Sequence, residues 1–172
     1  ENKAFRYIKN FVCGTASPVI HNKDISLQSY TLGLLNTKII SYLLPILNPT
    51  LSLAPGYVVK LPYIFDDNYK EQIDDRTNNN ISISRLDWDA HETSWNFREN
   101  ELVALSKEGV GNIWATINDE PVMNYYTLGL LYHEYKVKWE KMFRQLHANE
   151  EELNRIFIEI YGLQDELTPE VE

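Results

Sequence analysis

Apolar positions in the first 65 residues come in short runs that switch between a strand-like and a helix-like period. Over residues 5–13, Phe5, Tyr7, Phe11 and Cys13 fall on one face, which predicts a strand ending at Gly14. Pro18-Val19-Ile20 reads as a short second strand. A helix is then predicted from Ser26 or Ser29, with a serine N-cap before Tyr30. Leu32, Leu35, Ile39, Tyr42, Leu43 and Ile46 follow at helical spacing. Pro45 kinks or ends this helix and Asn48-Pro49 closes it, because proline lacks a donor and pushes its predecessor out of the helical region. Pro55-Gly56 marks a turn, Tyr57-Val58-Val59 a brief strand, and residues 61–65 an extended exit.

At Asp66 the pattern turns polar. Asp66-Asp67 suits a helix N-terminus, where carboxylates meet unpaired N–H groups, and starts a helix through Ile73. Asn78-Asn79-Asn80 reads as a loop. Ser84 then caps a second short helix over residues 85–91, with Asp87 as the acid of a capping box. Residues 93–124 mix loop with a helix near residues 99–106. The clearest element is the last. Between residues 126 and 163 there is no proline. Tyr135, Trp139, Met142, Leu146, Asn149, Leu153, Ile156, Ile160 and Leu163 recur at spacings of four and three, a heptad pattern. Asn149 is the polar residue in that seam, and packing within the chain is favoured over dimerisation. Gly162 ends the helix as a C-cap. Tyr-Thr-Leu-Gly-Leu-Leu occurs at residues 30–35 and 126–131, but the flanks differ. We read two similar helix starts, not a duplicated domain.

Charge divides the chain at the same place. The net charge is −9. Residues 1–65 carry +4 and residues 66–172 carry −13, so only the first region is suited to approach phosphate. Four tryptophans and eleven tyrosines argue for a real core. A lone Cys13 fits a reducing compartment. Residues 32–47 are the most apolar stretch, but they include Asn36, Lys38, Ser41 and Pro45 and are too short and polar to span a bilayer. A cytoplasmic protein with no membrane contact is expected.

A search for chemistry is mostly negative. Asn48-Pro49-Thr50-Leu51 begins like the loop with which adenine methyltransferases hold a flipped base, but it lacks the second proline and the aromatic. Gly109-Val110-Gly111 follows no hydrophobic strand, unlike a cofactor-binding turn. The four histidines and Cys13 show no zinc spacing, and His133 and His147 read as solitary helix-surface residues. Asp87, Asp89 and Glu92 would be the metal cluster of a nuclease, but no lysine follows at the usual spacing, and capping explains them better. Neither Ser94 nor Cys13 has a nearby histidine in sequence to activate it. No catalytic residue, metal ligand or cofactor site is therefore expected.

Several stretches nevertheless resemble a known family. Tyr30-Thr-Leu-Gly-Leu-Leu-Asn-Thr-Lys38, Leu47-Asn-Pro-Thr-Leu51 and Val58-Val-Lys-Leu-Pro-Tyr-Ile64 look like the closing segment of a target-recognition domain, an order also seen in type I restriction specificity subunits. Ile81-Ser-Ile-Ser-Arg-Leu-Asp-Trp-Asp89 with Glu92-Thr-Ser-Trp95, and residues 148–169, are more particular. Together they resemble the C-terminal portion of the BREX-type (PglX-type) adenine-specific DNA methyltransferases, relatives of type II restriction-modification methylases.

The resemblance implies a parent that uses S-adenosylmethionine to methylate adenine N6 in double-stranded DNA for phage defence. The catalytic loop and cofactor site would lie N-terminal to this piece, which enters mid-fold and looks truncated at both ends. The expected fold is α+β but predominantly helical. Residues 1–65 would be the C-terminal end of a target-recognition domain, a small mixed α/β remnant, and residues 66–172 a helical bundle with one long C-terminal helix. Lys38, Asn48, Thr50 and Lys60 are the candidate DNA-binding residues. Two other readings remain: a helical interaction module that docks another defence-system subunit, and a nuclease built on Asp87, Asp89 and Glu92.

Overall fold

The computed structural model describes residues 4–9, 19–50, 53–107, 115–117, 120–122 and 128–171. The elements are a 3-10 turn at Ile25–Leu27, then α1 (Gln28–Leu35), α2 (Lys38–Leu47), α3 (Pro55–Val58), α4 (Asp67–Asp89), α5 (Glu101–Lys107), β1 (Ala115–Ile117), β2 (Glu120–Val122) and α6 (Leu128–Tyr161). Helix dominates. The two strands pair antiparallel, Ala115 opposite Val122. No strand occurs among the described residues of the first 65: residues 4–9, Val19 and Ile20 are irregular, and the rest of both predicted N-terminal strands lies outside the described residues. The predicted strand at Tyr57-Val58-Val59 is instead the end of α3, where Pro55 occupies the first turn with its fixed helical φ.

The chain forms two compact units, Glu1–Ile81 with Leu146–Glu172, and Ser82–Gln145. It leaves the first within α4 and returns within α6. The first unit's core joins Tyr30 and Leu34 of α1, Ile39, Ile40 and Leu44 of α2, Ile73 of α4, and Leu153, Ile156, Phe157 and Ile158 of α6. Tyr30 is fully buried, edge-on to Phe157 at 5.3 Å. This core explains the apolar run at residues 32–47. Among the described residues no single helix is long and apolar enough to cross a membrane. Among the same residues, the bent pair Ile25–Leu35 and Lys38–Leu47 together has that length and composition.

Where the sequence predicts one helix from Ser26 or Ser29 to Asn48, there are two, bent by 79°. The break is chemical. Thr37 turns its hydroxyl back to the Leu34 carbonyl (2.7 Å) instead of capping α2. The cap comes from another element: Asn154 of α6 accepts the Lys38 N–H at 2.9 Å and donates to the Pro169 carbonyl at 3.1 Å. Asp24, which accepts from Ser26 N, caps the 3-10 turn that leads into α1, and α1 itself starts after Leu27 without a side-chain cap, serine or other. Pro45 is tolerated inside α2, which ends two residues later.

Helix α4 is also longer than its sequence predicts. The expected asparagine loop and the Ser84 capping box are both interior to a single helix of 23 residues. Asparagine is a poor helix former because its amide competes for backbone groups, but here those amides have tertiary partners. Asn149 Nδ2 donates to Asn79 Oδ1 (2.8 Å) and Asn80 Oδ1 (2.7 Å), and Ser29 donates to Asn78 Oδ1 (2.8 Å). Arg76 reaches Glu152 at 3.6 Å beside them. Asn149 therefore sets the register of α6 against α4 within one chain. The end of α6 follows its sequence: Gly162 has φ 65°, with Gly162 N bonded to Glu159 O and Leu163 N to Ile158 O, the paired bonds of a Schellman cap.

The extended exit at residues 61–66 has no strand partner, yet its backbone is paired by two phenols. Tyr161 donates to the Pro62 carbonyl (2.6 Å) and accepts from Ile64 N (3.2 Å). Tyr30 donates to the Ile64 carbonyl (3.1 Å) and accepts from Asp66 N (3.2 Å). Two side chains thus do what a neighbouring strand would do for alternate residues. Burial pushes the Tyr30 hydroxyl up to about 12 and raises that of Tyr161.

Candidate nucleic-acid interface

The four residues singled out from the sequence lie in the first unit, around α2 and α3. Lys38 is the first residue of α2 and Asn48 its C-cap. Ten residues at 1.5 Å rise place them about 15 Å apart along the helix. Lys38 is therefore not beside the turn at residues 48–50. It is half-buried, and its charge helps hold the Glu170 carboxyl below its usual range, behind the larger effect of a hydrogen bond to Thr168.

Asn48 and Thr50 do come together. The Asn48 side chain is buried, 1% exposed, and its Oδ1 accepts from Thr50 N at 3.2 Å and from Thr50 Oγ1 at 2.6 Å. This is an Asx turn, the side chain standing in for backbone. The amide that would face adenine in a methyltransferase loop is engaged inside its own turn. Thr50 and Pro49 are exposed at the tip. Lys60 follows α3, exposed, with Nζ 5.7 Å from the centre of the Tyr57 ring. An aromatic face under a lysine fixes where the ammonium sits while leaving it open to an anion.

Other candidates resolve into structural roles. Asp89 accepts Ser94 Oγ at 2.6 Å and Asn96 Nδ2 at 3.4 Å. The Asp87 main-chain oxygen pairs with the His91 ring at 2.7 Å. Among the described residues no group of three or more His, Cys, Asp or Glu could hold a metal ion, so Asp87, Asp89 and Glu92 form no such centre. His147 is not solitary: Nε2 lies 3.1 Å from the Val171 carbonyl and Nδ1 3.8 Å from Glu151. Cys13, Gly109 and Gly111 lie outside the described residues. Sequence reasoning missed Asn154, Tyr30 and Tyr161 as joining residues. The available signal was a pair of interior asparagines, 149 and 154, in a helix that otherwise favours good helix formers.

Among known proteins, the chain is 37% identical over 143 residues to an adenine-specific methyltransferase PglX of Lacticaseibacillus casei (strain Zhang), covering 83% of this chain and 11% of the relative. It is 30% identical over 155 residues to an adenine-specific methyltransferase BrxX of Escherichia coli O9:H4 (strain HS), covering 90% of this chain and again 11% of the relative. The chain thus spans about a ninth of the length of either relative. No protein-family model and no solved structure matches it.

Proposed function

We propose, from the premise that this chain is homologous to one segment of the BREX-type adenine-specific methyltransferases, that it is a non-catalytic part of such an enzyme, positioning DNA and scaffolding the fold. In this reading residues 1–65 close a target-recognition domain and residues 66–172 supply the helical scaffold. The parent transfers methyl groups from S-adenosylmethionine to adenine N6 in double-stranded DNA, in restriction-modification or phage defence.

The observation that carries the reading is the similarity itself: most of this chain aligns to 11% of each methyltransferase. Among the described residues no strand leads through a glycine-rich turn into a helix. Asn48 serves its own turn. No methyl-transfer step is assigned to these residues.

DNA positioning falls to the exposed Thr50 and Lys60 and to the half-buried Lys38. Thr50 and Lys60 approach phosphate oxygens, Asn48 holds the Thr50 turn in shape, and Lys38 makes a separate contact from the other end of α2. Such contacts fix register without reading bases. The test is DNA affinity of the full-length methyltransferase against salt concentration. Lys60→Ala and Lys38→Ala are each expected to reduce the slope of log affinity on log salt by about one, uniformly across DNA sequences. Slopes equal to that of the unaltered enzyme would sink this assignment.

A further inference from the structure

Trp95 is 98% exposed, more than any other large apolar side chain described. A free indole on a floppy loop would mean little, but the backbone on both sides of this one is tied. Ser94 is buried, its hydroxyl bonded to Asp89, its N–H to the His91 carbonyl at 3.0 Å. Asn96 N donates to Ser94 Oγ at 3.1 Å, and its side chain reaches the same Asp89 oxygen. Phe97 N closes the turn on the Ser94 carbonyl at 3.2 Å. One carboxylate at the end of α4 thus organises a hydrogen-bonded pedestal, topped by a tryptophan that packs against little among the described residues. Pre-ordering removes much of the entropic cost of binding, and tryptophan is the residue most enriched at interface hot spots.

The surroundings say what kind of surface it meets. Asp87 and Glu92 join Asp89 around the turn in sequence, against Arg98, while Glu99 is paired with Lys107 at 2.5 Å. Phosphate is repelled by such a rim, which disfavours stacking on nucleic acid. Complementarity calls for an apolar pocket edged by Lys and Arg. The methyltransferase relatives devote 11% of their length to the matched segment, so most of such a polypeptide is available to provide that pocket. Tethering also favours an intramolecular partner through its effective concentration.

We propose that Trp95 docks into a basic-rimmed apolar pocket elsewhere on the same methyltransferase polypeptide; this rests on the functional reading above. The experiment is site-specific photocrosslinking in the full-length enzyme, with a benzophenone amino acid replacing Trp95 and Val103 as the control position. At 98% exposure the replacement disturbs no packing within this segment. The expected result is an intramolecular crosslink to apolar residues flanked by Lys or Arg outside this segment, reduced about tenfold by Asp87→Lys with Glu92→Lys. Crosslinks only to DNA, to a second copy or to another protein would overturn the proposal. So would a yield no higher than at Val103, or one indifferent to charge reversal. Adenine methylation by the unaltered full-length enzyme judges the functional reading separately: an intramolecular crosslink in an enzyme that does not methylate adenine defeats that reading and leaves the docking standing.

Discussion

Gly33 sits where α1 lies against α4, and replacing it with alanine tests that packing directly. A Cβ built there would stand 2.6 Å from Thr77 Oγ1 and 3.3 Å from Ile73 Cγ2. Two effects oppose each other. Alanine is better than glycine in a helix by about 1 kcal/mol, whereas overpacking a close interface costs about 1–3 kcal/mol. Thr77 Oγ1 sits one bond from a β-branched Cβ, so it yields only through a χ1 change or a shift of α4. The cost therefore falls at the upper end, and Gly33→Ala is expected to destabilise by about 2 kcal/mol. Thr77 is 3% exposed and its hydroxyl has no hydrogen-bond partner. Thr77→Ala alone trades a lost methyl of about 1 kcal/mol against removal of an unsatisfied polar group of similar cost, and is close to neutral. The double variant should recover the single loss, a coupling of about 2 kcal/mol. Urea denaturation of the four proteins measures it. If Gly33→Ala is as stable as the parent chain, or the double variant shows simple additivity, the close approach of α1 to α4 is wrong.

Asn149→Ala removes the donor shared by Asn79 and Asn80 and is expected to cost about 1–3 kcal/mol, read from the denaturation midpoint; a neutral effect would remove Asn149 as a register device. Asn154→Ala strips α2 of its borrowed cap, with a loss of about 1–2 kcal/mol and faster hydrogen exchange at the Lys38 amide; unchanged exchange there contradicts the capping. The phenols make stability sensitive to alkali. Tyr30 titrates near 12 in the folded chain against 10 when free, so its contribution is fully present below pH 10 and lost as pH rises through 12. Two units correspond to about 2–3 kcal/mol, and Tyr30→Phe should flatten that part of the pH–stability curve; an unchanged curve would contradict it.

Much of this arrangement is written locally and much is not. The long α6 and its Gly162 stop are legible because periodicity, the absence of proline and a positive-φ residue are properties of adjacent positions. The same holds for the Asp66 start of α4 and for α5. The family resemblance is legible because residues 81–95 and 148–169 carry long, particular motifs. The single α4 is not, since asparagine preferences at residues 78–80 favour a loop and are overridden only by Asn149 and Ser29, far away in sequence. Nor is the α1–α2 break, whose cap is supplied by Asn154, 116 positions from Lys38. The candidate site splits in the same way. The Asn48–Thr50 turn follows from adjacent residues, but the separation of Lys38 from it depends on α2 remaining helical through Pro45.

The central claim, that this segment positions DNA without taking part in methyl transfer, is tested most directly by comparing two affinities in the full-length enzyme. S-adenosylmethionine binding by calorimetry and DNA binding by titration would be measured for the unaltered protein and for a Lys38→Ala, Thr50→Ala, Lys60→Ala triple variant. DNA binding is expected to be weaker with a shallower salt dependence, and S-adenosylmethionine affinity unchanged. Loss of cofactor binding with DNA affinity intact would contradict it.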